Sequence, residues 1–356
     1  MWMAAAASCP TPVRETHCVY RYTTVCLLAV FLSGCIASKG LEGDTAEYRK
    51  RLARVLRLEL SEPSEAQMLT FPDTRLMRQD ISAVTINLTQ WYGLRSCRLG
   101  TLIAERNTTL GKTAPSSQRL IYEAKLIEAL QDCLLGQPQQ SAQTQQLRGW
   151  LRTKLDQYPA VWANLIQTSP EMRQAFTMGH DNLAIAPGAG ADASVRALQL
   201  LGQQREYNTV TDRELEQQLK TLANERLPAT IWRLQAQLTA ELENLNNQLP
   251  QFFQQLACPG RKASEQVEIL RNVFYLFFIQ KIQPVASRLN HHSYQLKPVW
   301  QAWLSDDALH PEFRYYLKYH TEEAFTAYQQ AMAQHIELWQ QLFARCSLSP
   351  QAPALL

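Results

Sequence analysis

The chain has 356 residues, of which 46% are hydrophobic and 19% charged, enough for a large core and unlike disordered or fibrous sequences. Basic residues number 35 against 32 acidic, and the resulting charge of +3 is too small to argue for a nucleic-acid partner. Glycine is scarce, at 13, while glutamine is abundant, and that balance favours helices.

The first element is an uncharged run from Tyr22 to Leu32, YTTVCLLAVFL, with Arg14 and Arg21 before it and small residues after it. This is the layout of a secretory signal peptide. The run is far shorter than the ~20 residues that span a bilayer as a helix. Its end, Leu32-Ser33-Gly34-Cys35, resembles the bacterial lipobox. That resemblance implies a diacylglyceryl group on the Cys35 thiol, cleavage before it and acylation of the new amino terminus. Residues 1–34 are then a cleaved lipoprotein signal peptide and 35–43 a tether. Several acyl chains, at about 0.8 kcal/mol per buried methylene, hold a protein on a membrane where one does not. Residue 36 is Ile rather than Asp, and by analogy with enteric sorting this favours the periplasmic leaflet of the outer membrane over the inner membrane.

Residues 44–185 read as an N-terminal helical region. Asp44 and Glu47 form a capping-box-like start. Tyr48, Leu52, Val55, Leu56 and Leu60 share one face of the helix that follows, and Arg49, Lys50, Arg54 and Arg57 form a basic side able to lie on anionic lipid. A second helix is expected from Ile81, on the spacing of Val84, Leu88, Trp91, Leu99, Leu102 and Ile103. A connector, 105–117, leads to a third helix carrying Tyr122, Leu126, Leu130 and Cys133. A fourth runs through Trp150, Leu155 and Trp162, bent by Pro159.

The segment 186–194, APGAGADAS, reads as a loop between two regions. The C-terminal helical region, 195–346, contains a second capping signature at Thr211-x-x-Glu214. Leucines from Leu215 to Leu249 then recur at helical spacing, segmented by Pro228 and Pro250. An apolar helix from Val267 to Ile282, a short piece at Trp300–Leu304 and a last helix from Pro311 to Cys346 complete it. Residues 347–356 read as a flexible tail. The fold class is all-α, a multi-helix bundle of antiparallel helices.

Of eight cysteines, Cys9, Cys18 and Cys26 leave with the signal and Cys35 carries the lipid. Cys97, Cys133, Cys258 and Cys346 remain, an even set in an oxidising space, which reads as two disulfides. Four cysteines allow three pairings. Cys97 with Cys133 and Cys258 with Cys346 is favoured, because each bridge then staples neighbouring helices within one half of the chain.

No constellation of residues demands catalysis. Gly188-Ala189-Gly190-Ala191-Asp192-Ala193 fits a dinucleotide fingerprint, but Pro187 precedes it and its surroundings are helical, so it reads as a loop without a nucleotide. His320 and Glu323 share a helix face and read as a surface pair, since two ligands are too few for a metal. His291-His292 reads as a loop or cap. The densest polar cluster is Glu105, Arg106 and Asn107 with Arg119, Tyr122 and Glu123, at the two ends of one connector. It suits an ion-pair network holding the turn, or a recognition patch for a glycan or peptide end.

The stretch LIAERNTTLGKTAPSSQRLIYE, 102–123, with Glu105-Arg106-Asn107, Leu110-Gly111, Ser117, Leu120 and Tyr122-Glu123, resembles a proteobacterial lipoprotein family of unknown function. The resemblance implies an envelope lipoprotein and supplies no catalytic residue, cofactor or metal. The expectation is a lipid-anchored scaffold, adaptor or binding module facing the periplasm, without nucleotide or nucleic acid. Its partners would be the membrane and another envelope protein or a cell-wall component. The alternative is an enzyme acting on cell-wall glycan, peptide or lipid through Glu105 or Glu123 as general acid.

Overall fold

A computed structural model of the chain describes residues 40–83, 86–94, 97–106, 108, 113–135, 141–177, 189–207 and 211–349. The expected signal peptide, Cys35, Asn107 and the tail beyond 349 lie outside the described residues. Among the described residues helices are the regular structure and there is no strand.

Helix α1 (Gly40–Leu56) starts before the expected Asp44, so the last part of the tether is helical. The reason is burial of Leu41, which extends the stripe Thr45, Tyr48, Leu52 and Leu56 by one turn. Of the expected basic face, Lys50, Arg54 and Arg57 are exposed. Arg49 is not: its guanidinium reaches both oxygens of the buried Glu241 at 2.6 Å and pins α1 to the core.

A single turn, α2 (Thr74–Met77), follows. The described residues 81–83 and 86–87 are not helical, and helix appears only as α3 (Leu88–Gly93) and α4 (Leu99–Arg106). Asn87 and Gln90 explain the late start. Each side chain accepts from the other's backbone N–H, at 2.9 and 2.8 Å, a reciprocal cap that places the first turn at Leu88.

Helices α5 (Ser116–Leu135) and α6 (Ala142–Thr168) pack side by side, and Pro159 lies within α6 without ending it. Ser169 then caps α7 (Pro170–Phe176). Helix α8 (Ala189–Gln203) takes up most of the expected 186–194 loop, because Ala191, Val195 and Leu198 bury one face. Gly190 packs against a side chain of α9. The Glu225 carboxylate lies against the start of α8 there, and a larger residue would require that side chain to swing aside.

Thr211 caps α9 (Asp212–Glu225) as its spacing predicts, accepting from the Glu214 N–H at 3.2 Å. Arg226, at φ +47°, turns the chain into α10 (Leu227–Gln255), with Pro228 in its first turn. Pro250 does not segment α10 as expected. Leu245, Leu249 and Phe253 bury on both sides of it, and that packing outweighs the lost hydrogen bond.

Residues 265–304 are one helical run: α11 (Glu265–Val273), a π-helical stretch (Phe274–Ile282) and α12 (Gln283–Leu304). It absorbs the two separate pieces expected at Val267–Ile282 and Trp300–Leu304. His291 and His292 are therefore helical, not a loop. Helix α13 (Pro311–Lys318), a π turn (Tyr319–Glu323) and α14 (Ala324–Arg345) close the bundle, with α14 lying along α10.

The N- and C-terminal regions share one core, in which Phe176 and Trp232 stack with centroids 5.5 Å apart and Phe313 and Trp300 close around them. A smaller core, built on Leu99, Leu102, Leu126 and Leu130, lies between α4 and α5. Cys97 and Cys133 meet beside it, with Cα atoms 5.8 Å apart; Cys258 and Cys346 meet at 5.2 Å. Both pairs are the favoured ones. No described helix is long and apolar enough to cross a membrane.

Candidate functional site

The connector cluster forms a pocket. Glu105 and Arg106 end α4, Arg119 and Tyr122 lie in the first two turns of α5, and all four line a cavity of about 490 Å³. Thr108, Gln118, Lys125 and Asp212 complete its polar wall. Helix α9 is drawn against this wall by side chains of α5. Ser117 and Gln118 donate to Glu216 at 2.7 and 3.1 Å, and Lys125 pairs with Asp212 at 3.0 Å.

Glu123 lies behind the pocket, buried with its carboxylate taken up by two cations. Arg119 approaches it at 2.6 Å and Lys154, from α6, at 3.1 Å. Lys154 is 2% exposed and also donates to the Ser82 carbonyl at 2.8 Å. Burial holds its ammonium below the usual lysine range, a shift that the Glu123 charge opposes.

The pocket wall carries three cations, Arg106, Arg119 and Lys125, against the carboxylates Glu105 and Asp212. Arg106 is depressed first by burial and then by the Arg119 cation beside it. Tyr122 is pushed up to about 12, by burial first and then by the Glu123 charge. Arg119 reaches over the Tyr122 ring, with 5.7 Å between guanidinium carbon and centroid, and its Nη1 is buried without a hydrogen-bond partner. A cleft that gathers several perturbed groups is a site candidate on physical grounds.

A family model described as a protein of unknown function (DUF3080) matches residues 45–350. The chain belongs to that family. No curated protein and no solved structure matches it.

In this DUF3080 chain the structure joins Glu105, Arg106, Arg119 and Tyr122 around one cavity and sets Glu123 behind it. Lys125, Lys154, Asp212 and Gln118 escaped the sequence reading. Lys154 did leave a signal. It interrupts the stripe Leu147, Leu151, Tyr158, Val161 and Leu165 at a core position, as Glu123 interrupts Leu120, Ile127 and Leu130. A charge of each sign on two buried stripes announces a buried pair. Lys125 and Asp212 left none, since their meeting depends on how α9 packs.

Among the described residues of the DUF3080 chain no group of three metal-ligating side chains converges. His320 is not the surface residue that its spacing with Glu323 suggested. It is buried and stacked on Trp232 at 4.6 Å, while Glu323 lies 3.9 Å from Lys318.

Proposed function

We propose that this protein is a lipid-anchored, non-enzymatic binding module of the bacterial envelope, whose connector pocket takes an anionic group of its partner. The lipobox-like Leu32-Ser33-Gly34-Cys35 supports the anchor. The exposed Lys50, Arg54 and Arg57 of α1, soon after it in the chain, suit an anionic membrane surface. If Cys35 is acylated, labelled palmitate enters the protein and Cys35→Ala abolishes both the label and membrane attachment. Attachment that survives Cys35→Ala removes the anchor.

One observation carries the ligand class. Arg119 pairs with Glu123 through one terminal nitrogen while the other, Nη1, is buried without a hydrogen-bond partner, and Lys125 is matched by Asp212. A carboxylate entering the pocket relieves the repulsion between Arg106 and Arg119 and meets the unpartnered Arg119 Nη1. Such a group ends a peptide of the cell wall or of another envelope protein. The enzyme reading has less support. Glu123 is occupied by two cations and Glu105 is exposed, so neither is the uncompensated carboxyl in apolar surroundings that a general acid needs.

A short peptide with a free C-terminal carboxylate should therefore bind at least tenfold more tightly than its C-terminal amide. Arg106→Gln should abolish that preference while the helical circular dichroism is unchanged. Calorimetric titration showing equal affinity for acid and amide would dispose of the anion assignment.

A further inference from the structure

A second cavity, sharing no lining residue with the connector pocket, opens between α10, α12 and the helix formed by the 319–323 π turn and α14. We propose that it binds a short saccharide. Its volume, about 390 Å³, lies within the range of small-ligand sites.

Its walls combine aromatic rings with uncharged hydrogen-bonding groups. Tyr294 stands at the mouth, 54% exposed, yet it is fixed at both ends. Its ring meets Phe325 edge to face at 5.8 Å, and its hydroxyl accepts from the Gln329 side chain at 2.9 Å. An exposed aromatic held this way loses little freedom when a ligand covers it. The electron-rich face of such a ring suits the C–H face of a pyranose.

Deeper in, Gln235 lines the cavity while being 2% exposed, and its Oε1 has no hydrogen-bond partner. Ser293 is half-buried, and its hydroxyl oxygen likewise has no hydrogen-bond partner. Leaving a buried polar atom unsatisfied is costly, and a sugar hydroxyl, which both donates and accepts, answers both. Gln301, Thr321 and Thr326 add more neutral donors and acceptors, and Lys297 and Glu322 cancel in charge. An uncharged, hydroxyl-rich ligand matches that lining better than an ion.

The π turn is an independent pointer. It carries Thr321 and Glu322 into the cavity, and such turns within α-helices cluster at functional positions.

The test titrates the full chain in detergent with chitotriose, cellotriose and maltotriose, followed by tryptophan fluorescence, since Trp232 and Trp300 line the cavity. At least one trisaccharide should give a saturable change. Tyr294→Ala and Gln235→Leu should each weaken it at least tenfold, and Arg106→Gln should leave it intact. Gln235→Leu should not lower the denaturation midpoint, because the amide oxygen has no protein partner to lose. If no trisaccharide gives a saturable signal, or if binding withstands both cavity substitutions, the proposal is overturned. Saturation by a neutral dipeptide but by no sugar overturns it equally.

Discussion

Acidification from pH 7 to pH 5 is expected to lower the unfolding free energy by about 4 kcal/mol through two buried histidines alone. His335 is held down to about 3 by its burial. His320 is held down to about 4, by burial first, against a hydrogen bond to the Leu69 backbone that works the other way. The network around His335 shows why it refuses a proton. Trp339 Nε1–H, which can only donate, points at Nε2 from 3.1 Å, and the Tyr48 hydroxyl lies 3.0 Å from the same nitrogen. Nε2 is therefore the acceptor, and Nδ1–H donates to Asn246 Oδ1 at 2.8 Å. The Asn246 amide is oriented in turn by donating to the Ala331 carbonyl at 2.9 Å. A proton on Nε2 would face the indole N–H.

The sign follows from where protons bind. Below the unfolded value of about 6.5 the unfolded chain takes up a proton at each imidazole and the native state does not. The contribution is complete above that pH and is lost as pH falls toward the native values. Each histidine costs about 1.4 kcal/mol per pH unit in that window. Glu241, raised by burial against the pull of Arg49, opposes this at the acid end. Asp73, held at about 2 by Arg75, adds its own loss only below the carboxylate range. Urea midpoints at a constant m-value report the slope. A midpoint unchanged between pH 7 and pH 5 would mean that the two rings are not sealed from solvent.

The second large effect concerns Glu123. Glu123→Gln keeps the side-chain shape but strips Lys154 of its counter-charge inside the core, and the expected cost is about 3–5 kcal/mol. Adding Lys154→Met should recover part of the loss, since it removes the uncompensated buried ammonium while Arg119 still lacks the Glu123 charge. Denaturant unfolding of the single and double variants reads both values. A single variant within about 1 kcal/mol of the natural protein would show that the pair carries no such weight. The result bears on function as well. Inactivity of a Glu123 variant would reflect a weakened fold and not a missing acid, so Glu105, exposed at the pocket, is the residue on which the enzyme alternative should be judged.

The helical character of the chain, the Thr211 cap and the connector cluster were legible because their determinants are local. The spacing of Leu227, Ile231, Leu234 and Leu238 shows one helix face to any reader of the chain. Arg119 and Glu123 are one turn apart on α5, so their pairing follows from helical geometry alone. The cysteine pairing was legible for a related reason, since each bridge closes within one half of the chain. Local reading failed where a neighbour in space decided the outcome. Arg49 looked like part of a solvated face until Glu241, 192 residues away, claimed it. Pro250 looked like a stop until packing carried α10 past it.

The sequence by itself therefore determined an all-α chain, the Thr211 cap and a polar patch where α4 turns into α5. Only the tertiary structure decided that Lys154 meets Glu123, that His320 lies under Trp232, and that Gln235, Tyr294 and Phe325 face one cavity. The physical reason is range. A helix turn couples residues three or four apart, whereas a cavity is lined by side chains whose proximity depends on the packing of every helix between them.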